Sequence, residues 1–215
     1  MRVLGIDPSL TQYGWAIHDT TYPVGDKRRC EARGRFKTPS KMEFLDRYRN
    51  QRDSLREVIQ KYKPDKTGLE FPIFNDLFSE GMYGLFLFSC DALKLEGCDV
   101  VFWTPLQGKA HAREKILRPK GWKMDKKDMV EAAKTCCDQT MNHNEADAYH
   151  IAVLSSRFWD LYDGNLLEAD LTPVEKRYFA RVHTYQRGRK AGKTVRTGMV
   201  HRENDRFFLW SNKGN

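Results

Sequence analysis

Asp7 and Glu70 each close a short apolar run, in Arg2-Val3-Leu4-Gly5-Ile6-Asp7-Pro8 and in Lys66-Thr67-Gly68-Leu69-Glu70. Desolvating a carboxylate at the end of a buried strand is costly unless a cation or hydrogen-bond donors compensate it. Alone, Asp7 reads equally well as the start of a turn completed by Pro8. A second strand-terminal acid weakens that bland reading. A third carboxylate, Asp147, stands where polar Asn142-His143-Asn144-Glu145 gives way to Ala148-Tyr149-His150-Ile151, in the first turn or so of a helix. Spacings of three and four put His143, Asn144, Asp147 and His150 along one side of it. With that side turned to the strand ends, Asp7, Glu70 and Asp147 converge. Three such charges repel one another and raise one another's pKa unless cations lie among them. Hard oxygen ligands of this kind suit Mg²⁺ or Mn²⁺, and two ions ~3.5–4 Å apart activate a water and stabilise a leaving oxygen. The chemistry implied is hydrolysis of a phosphodiester.

The elements needed to position these groups are legible in outline. Arg2–Asp7 and Tyr13–Asp19 read as a hairpin, with Gly14 offering a close approach to the second strand. A third strand covers Glu31–Thr38, where Ala32, Gly34 and Phe36 alternate with charged residues. Pro39-Ser40 open a helix through Lys61, with Arg47, Arg49, Arg52 and Arg56 at its polar positions, and Lys63-Pro64 ends it. The strand ending at Glu70 follows, then a helix over Ser79–Leu95 and a strand over Asp99–Trp103. A Lys- and Arg-rich segment, Lys109 to Lys127, leads to a helix over Asp125–Asp138 and then to the helix of Asp147. Three strands followed by alternating strands and helices predict a mixed sheet with helices on both faces. In such a sheet the ends of the first and fourth strands can lie side by side.

The chain has 215 residues, 40% hydrophobic and 12% aromatic, which fits one globular domain with an appendage. Five cysteines without a C-x-x-C spacing argue against a disulfide framework and a structural zinc site. No apolar run approaches a membrane span and no basic-then-apolar leader opens the chain, so a soluble, cytoplasmic protein is expected. The net charge is +8, and Leu171–Asn215 alone holds eleven Lys and Arg against three acids. The excess therefore lies in the last fifth of the chain, which points to a polyanionic partner, nucleic acid before membrane.

Leu4-Gly5-Ile6-Asp7-Pro8-Ser9-Leu10-Thr11 with Gly14-Trp15-Ala16, then Leu69-Glu70, then Glu145-Ala146-Asp147-Ala148, resembles the RuvC family of Holliday junction resolvases over residues 1–158. The resemblance implies an α/β fold, an RNase H-like mixed five-stranded sheet flanked by helices, with residues 159–215 as a basic C-terminal extension. It also implies a homodimer that nicks branched DNA with two Mg²⁺ ions, Mn²⁺ being a substitute, and no small-molecule cofactor. Asp7, Glu70 and Asp147 are then metal ligands. The family's fourth ligand, three residues before the helix acid, falls on Asn144, with His143 beside it as the alternative. A basic residue near the scissile phosphate falls on Lys126 or Lys127, whose position at a helix start is mismatched with the helix dipole and so favours a phosphate role. An aromatic wedge falls on Phe74 or Phe71, where stacking on an unpaired base is worth ~1–3 kcal/mol.

The tail departs from the compact family pattern. Pro173–Gln186 reads as an amphipathic helix with Val174, Tyr178 and Val182 on one side. Arg187, Arg189, Lys190 and Lys193 form a phosphate-binding loop, and Arg206–Trp210 a final strand. Two other enzyme readings fit less well. An actin-like kinase needs a second similar domain and a further glycine-rich phosphate loop, and a proofreading-type exonuclease wants an acid at position 9, which is Ser9. A non-catalytic branched-DNA-binding protein is the alternative from another class, because Asn144 is a weak ligand.

Overall fold

The computed structural model describes residues 1–72, 79–119, 121–179, 182–184, 194–196, 199–203 and 206–210. In chain order the strands are β1 (Arg2–Asp7), β2 (Gln12–Asp19), β3 (Cys30–Lys37), β4 (Lys66–Glu70) and β5 (Val100–Trp103). The helices are α1 (Phe44–Tyr62), α2 (Ser79–Leu95), α3 (Pro105–Lys115), α4 (Lys126–Cys137) and α5 (His143–Tyr162). The remaining segments are α6 (Pro173–Phe179), β6 (Val182–Thr184), β7 (Thr194–Arg196), β8 (Met199–Glu203) and β9 (Arg206–Trp210). The principal sheet runs β3-β2-β1-β4-β5-β8-β9. Its first five strands are the mixed sheet expected from the sequence: β1 pairs antiparallel with β2 and parallel with β4. Strands β8 and β9 continue it antiparallel beyond β5, and β9 covers the expected final strand, Arg206–Trp210. Strands β6 and β7 pair separately.

The period of two in the strands sorts side chains between the two faces. Leu4, Ile6 and Leu69 point to one face and pack with Leu55, Val58 and Ile59 of α1 and Leu85, Phe86 and Leu93 of α2. The other face receives α5, nearly all of whose middle and end is buried. Its small residues bring its backbone unusually close. A Cβ at Gly5 would collide with the carbonyl oxygen of Ala148 and the amide nitrogen of Ala152, and one at Gly14 with the carbonyl of Asn144. The close approach anticipated at Gly14 is thus that of the helix bearing Asp147. Beyond α5, α4 and α3 complete a second core with Met129, Ala132, Ala133 and Cys137.

Four local readings need correction. Helix α1 begins at Phe44 rather than at Pro39. Pro39–Met42 instead forms a turn, with the Met42 amide on the Pro39 carbonyl at 3.0 Å. Arg47 is not on the polar face: it is buried, and its Nη2 donates to the carbonyls of Pro39, Ser40 and Met42 at 3.2, 2.7 and 2.9 Å. The segment after β5 contains a helix, α3, that its composition hides. Helix α6 covers Pro173–Phe179 and Val182–Thr184 is strand β6, so no helix runs to Gln186 as the apolar spacing suggested. Leu171 and Phe179 both enter a third core cluster with Trp103, Phe158 and Trp159.

The helix-to-sheet contact at Gly5 has a direct consequence. Gly5→Ala is expected to destabilise the fold by ~1–3 kcal/mol, the range for forced overpacking. Chemical denaturation measures this, and an unchanged midpoint would contradict the tight contact with α5.

Candidate active site

Register brings the first two acids together. Ile6 pairs with Leu69 across the parallel β1–β4 ladder, so Asp7 and Glu70 are the next positions on adjacent strands. Because Ile6 and Leu69 face α1 and α2, alternation turns Asp7 and Glu70 toward α5. There Asp147 meets them, one helical turn before Ile151. The three acids line one pocket of about 80 Å³, with Lys109 of α3 and a wall of Pro105, Gly108, Met129 and Ile151. That is room for a few water-sized species.

Local signals fix the helix that presents Asp147. Asn142 caps α5, accepting from the amides of Asn144 and Glu145 at 3.0 and 3.1 Å, while Glu145 accepts from the Asn142 amide at 3.1 Å. This reciprocal capping box ties down the first turn. It also engages Glu145, which lies 3.4 Å from Arg33 Nε.

The electrostatics are strained. Burial first, then the charges of Glu70 and Asp147, push Asp7 well above the usual carboxylate range, against the pull of Lys109. Burial and Asp147 push Glu70 up to about 8, again opposed by Lys109. Burial raises Asp147 to about 6, with Lys109 and Lys126 opposing. Asp147 Oδ1 is buried and has no hydrogen-bond partner among the described residues. Among these residues no group of three His, Cys, Asp or Glu side chains is gathered closely enough to hold a metal ion as it stands. The acids form an open cleft rather than a closed cage.

The other expected site residues fall into distinct settings. Lys126 Nζ donates to His143 Nε2 at 3.2 Å. Burial, Lys126 and Arg35 lower the His143 pKa, which keeps that ring neutral and able to accept. Lys126 is also felt by Asp147, whereas the backbone amide of Lys127 is held by Asp125 Oδ1 and its side chain is exposed. Asn144 is buried and donates through Nδ2 to Gln12 Oε1 at 3.1 Å, an oxygen that also accepts from Arg35. Neither His143 nor Asn144 is among the pocket's lining residues. His150 turns away, its buried ring facing His111 and Met129. Phe71 packs edge-on to Phe86 with ring centroids 5.0 Å apart. Phe74, Arg187, Arg189, Lys190 and Lys193 lie outside the described residues.

Lys109 was missed as a site residue because its helix was missed. Helix α3 has too few apolar positions for a 3.6-residue stripe, but its start is written in Thr104-Pro105-Leu106-Gln107. Pro105 occupies the first turn, and Gln107 Oε1 accepts from the Thr104 amide at 2.7 Å. That capping signature places Lys109 about one turn into a helix springing from the end of β5.

No family model matches the chain. It is 36% identical over 75 residues to the crossover junction endodeoxyribonuclease RuvC of Rhizobium etli, a match spanning 35% of this chain and 43% of that one. The RuvC of Halothermothrix orenii is likewise 36% identical over 75 residues, 44% of its length. The matched stretch is thus less than half of either relative. Among solved structures, RuvC of Thermus thermophilus in complex with a Holliday junction substrate superposes with a TM-score of 0.59 at 17% identity. That superposition covers 76% of this chain and 97% of the other. The likeness establishes the fold: an RNase H-like sheet of the RuvC type.

The strain in the cleft is measurable without any substrate. A carboxylate whose folded-state pKa is raised stabilises the fold below its unfolded pKa and loses that contribution as pH rises through the folded value. For Glu70 this window runs from about 4.5 to about 8. In chelator-treated protein, Glu70→Gln is therefore expected to melt higher than wild type near pH 8.5, with the difference vanishing near pH 4. Equal melting at both pH values would contradict the buried charge repulsion.

Proposed function

We propose that this chain is a metal-dependent, structure-selective endonuclease that nicks four-way or other branched DNA by phosphodiester hydrolysis. One observation carries the reading: three desolvated, mutually repelling carboxylates in a single cleft, faced by Lys109 and approached by Lys126. The names of the relatives matched over part of their length, and the fold, support the same class.

In this reading Asp7, Glu70 and Asp147 hold divalent metal, Mg²⁺ with Mn²⁺ as a substitute, and two ions fit the site's hard-ligand chemistry. The unpartnered Asp147 Oδ1 and the raised pKa values fit a site that holds a cation. When bound, the metal supplies an activated water and stabilises the leaving oxygen. Lys109 and Lys126 orient the scissile phosphate and offset its charge. The fourth ligand is Asn144 or His143; engagement of Asn144 by Gln12 and of His143 by Lys126 means that either must leave its present partner to serve. Lys127, which is not among the charges acting on Asp147, contacts the DNA backbone outside the cleft. Phe74 is the preferred wedge aromatic, Phe71 being packed on Phe86. Exposed Leu87 and Leu95 on α2 support a homodimer through that helix.

We divide the chain into a nuclease unit, residues 1–158, and an extension, residues 159–215, whose Arg187, Arg189, Lys190 and Lys193 widen the DNA surface. A cytoplasmic site of action accords with the DNA substrate. Among the described residues no helix is long and apolar enough to cross a membrane.

The second reading, a non-catalytic junction-binding protein, is favoured by the neutral Asn144. A synthetic four-way junction with Mg²⁺ or Mn²⁺ separates the two. Wild type is expected to nick it, Asp7→Asn to bind without nicking, and Lys109→Ala to lose ~10²-fold or more in rate. An active Asp7→Asn protein would sink the assignment. Truncation after Asp170 would weaken binding but would also strip Leu171 and Phe179 from the core. Neutralising the four loop cations is cleaner: each lost phosphate contact is expected to reduce the slope of log affinity against log salt by about 1. An unchanged slope would remove the loop from the DNA surface.

A further inference from the structure

Helix α3 carries Lys109 into the cleft and packs on α4 and α5 with few apolar side chains. Its buried residues are Gly108, His111 and Ala112. A surface helix is normally fixed by an apolar stripe, which α3 lacks. A polar contact from the start of α6 adds to that packing. Glu114, in the last turn of α3, accepts from Thr172 Oγ1 at 2.6 Å and from the Val174 amide at 3.2 Å. One residue further along α6, Glu175 is fully buried. It accepts from Arg157 Nε and Nη2 at 2.9 and 3.1 Å and from the Thr172 amide at 2.9 Å. His111 Nε2 of α3 lies 3.4 Å from Glu175 Oε1 without a hydrogen bond between them, and burial favours the neutral ring. Arg157 belongs to α5, the helix that presents Asp147.

We propose that Glu175 is a positioning residue for the nuclease reaction: held by Arg157 of α5 and by the amide of Thr172, whose hydroxyl binds Glu114 of α3, it fixes the helix bearing Lys109 against the helix bearing Asp147. The assignment rests on the nuclease reading given above. Burial alone would raise the Glu175 pKa, but contacts from His111, Arg157 and the Thr172 amide outweigh it and keep the carboxylate charged. A buried ion pair is a weak device for stability, since apolar packing does as well. It differs from apolar packing in fixing direction, through two donors of one guanidinium on one carboxylate. Phe179 already supplies the apolar part of the docking against Trp103 and Phe158.

The test is a double-mutant cycle on the full chain, comparing wild type, Glu175→Gln, Lys109→Ala and the double variant. Single-turnover nicking of a synthetic four-way junction in Mg²⁺ and the Kd for the same junction are read side by side. Glu175→Gln is expected to slow nicking about 10- to 100-fold, as displacements of ~1 Å do. Its Kd should hold within about twofold, and it should add nothing in the Lys109→Ala background. If Lys109→Ala leaves no measurable rate, Lys109→Arg takes its place in the cycle. Losses that add, or an unchanged rate in folded Glu175→Gln, overturn the assignment. Should Glu175→Gln fail to fold, Glu114→Gln enters the same cycle, and unfolding of both variants shows a core role and equally overturns it. A wild type that binds the junction but does not nick overturns the nuclease reading and this assignment with it; additive losses in a nicking enzyme overturn the assignment alone.

Discussion

The separation between α5 and the sheet governs the molecule. Where β1 and β2 meet the helix they carry Gly5 and Gly14, and the helix answers with Ala148, Ala152 and the bare backbone of Asn144. Backbone thus lies against backbone, and one helical turn along, Asp147 is delivered to the ends of β1 and β4. Larger residues at those contacts would lift α5 and carry Asp147 away from Asp7 and Glu70. The same contact excludes water from the acids, which is why burial leads the causes of all three pKa shifts. Packing and electrostatics at this site are therefore one constraint.

That constraint sets local stability against function. Three carboxylates in one desolvated cleft disfavour the folded state whenever they are ionised, and the fold tolerates them because the surrounding core is extensive. Lys109 and Lys126 relieve part of the repulsion from the rim without closing the cleft. A rim cation leaves the space between the acids open, which a salt bridge made directly to them would fill. Sites of this kind are where perturbed pKa values cluster.

Much of this was legible in the sequence, for identifiable reasons. Strand-terminal Asp7 and Glu70 are readable because apolar alternation stops at each and a proline or an aromatic loop follows. Once β1 and β4 are adjacent and in register, their convergence follows from the period of two. Asp147 is readable from the polar-to-apolar switch in its helix. The rest was hidden by effects that spacing does not report. Arg47 looks like a surface residue until a turn supplies three carbonyls for its guanidinium. The choice between His143 and Asn144 stays open in sequence because neighbouring helix positions differ by about 100° in direction. In the folded chain each is engaged elsewhere, one by Lys126 and the other by Gln12. Helix α3 was invisible to periodicity, and with it Lys109, although the Thr104–Gln107 capping signature marked its start.

The same weakness of pattern explains how the extension is joined on. A helix with a strong apolar stripe would have needed no partner beyond the core. Helix α3 has instead a buried glycine, a buried histidine and one buried methyl, and the extension begins by supplying Thr172, Val174 and Glu175 to that helix. Leu171 and Phe179 bracket these polar contacts with apolar ones, so the first residues of the extension are part of the core rather than a tether leading away from it.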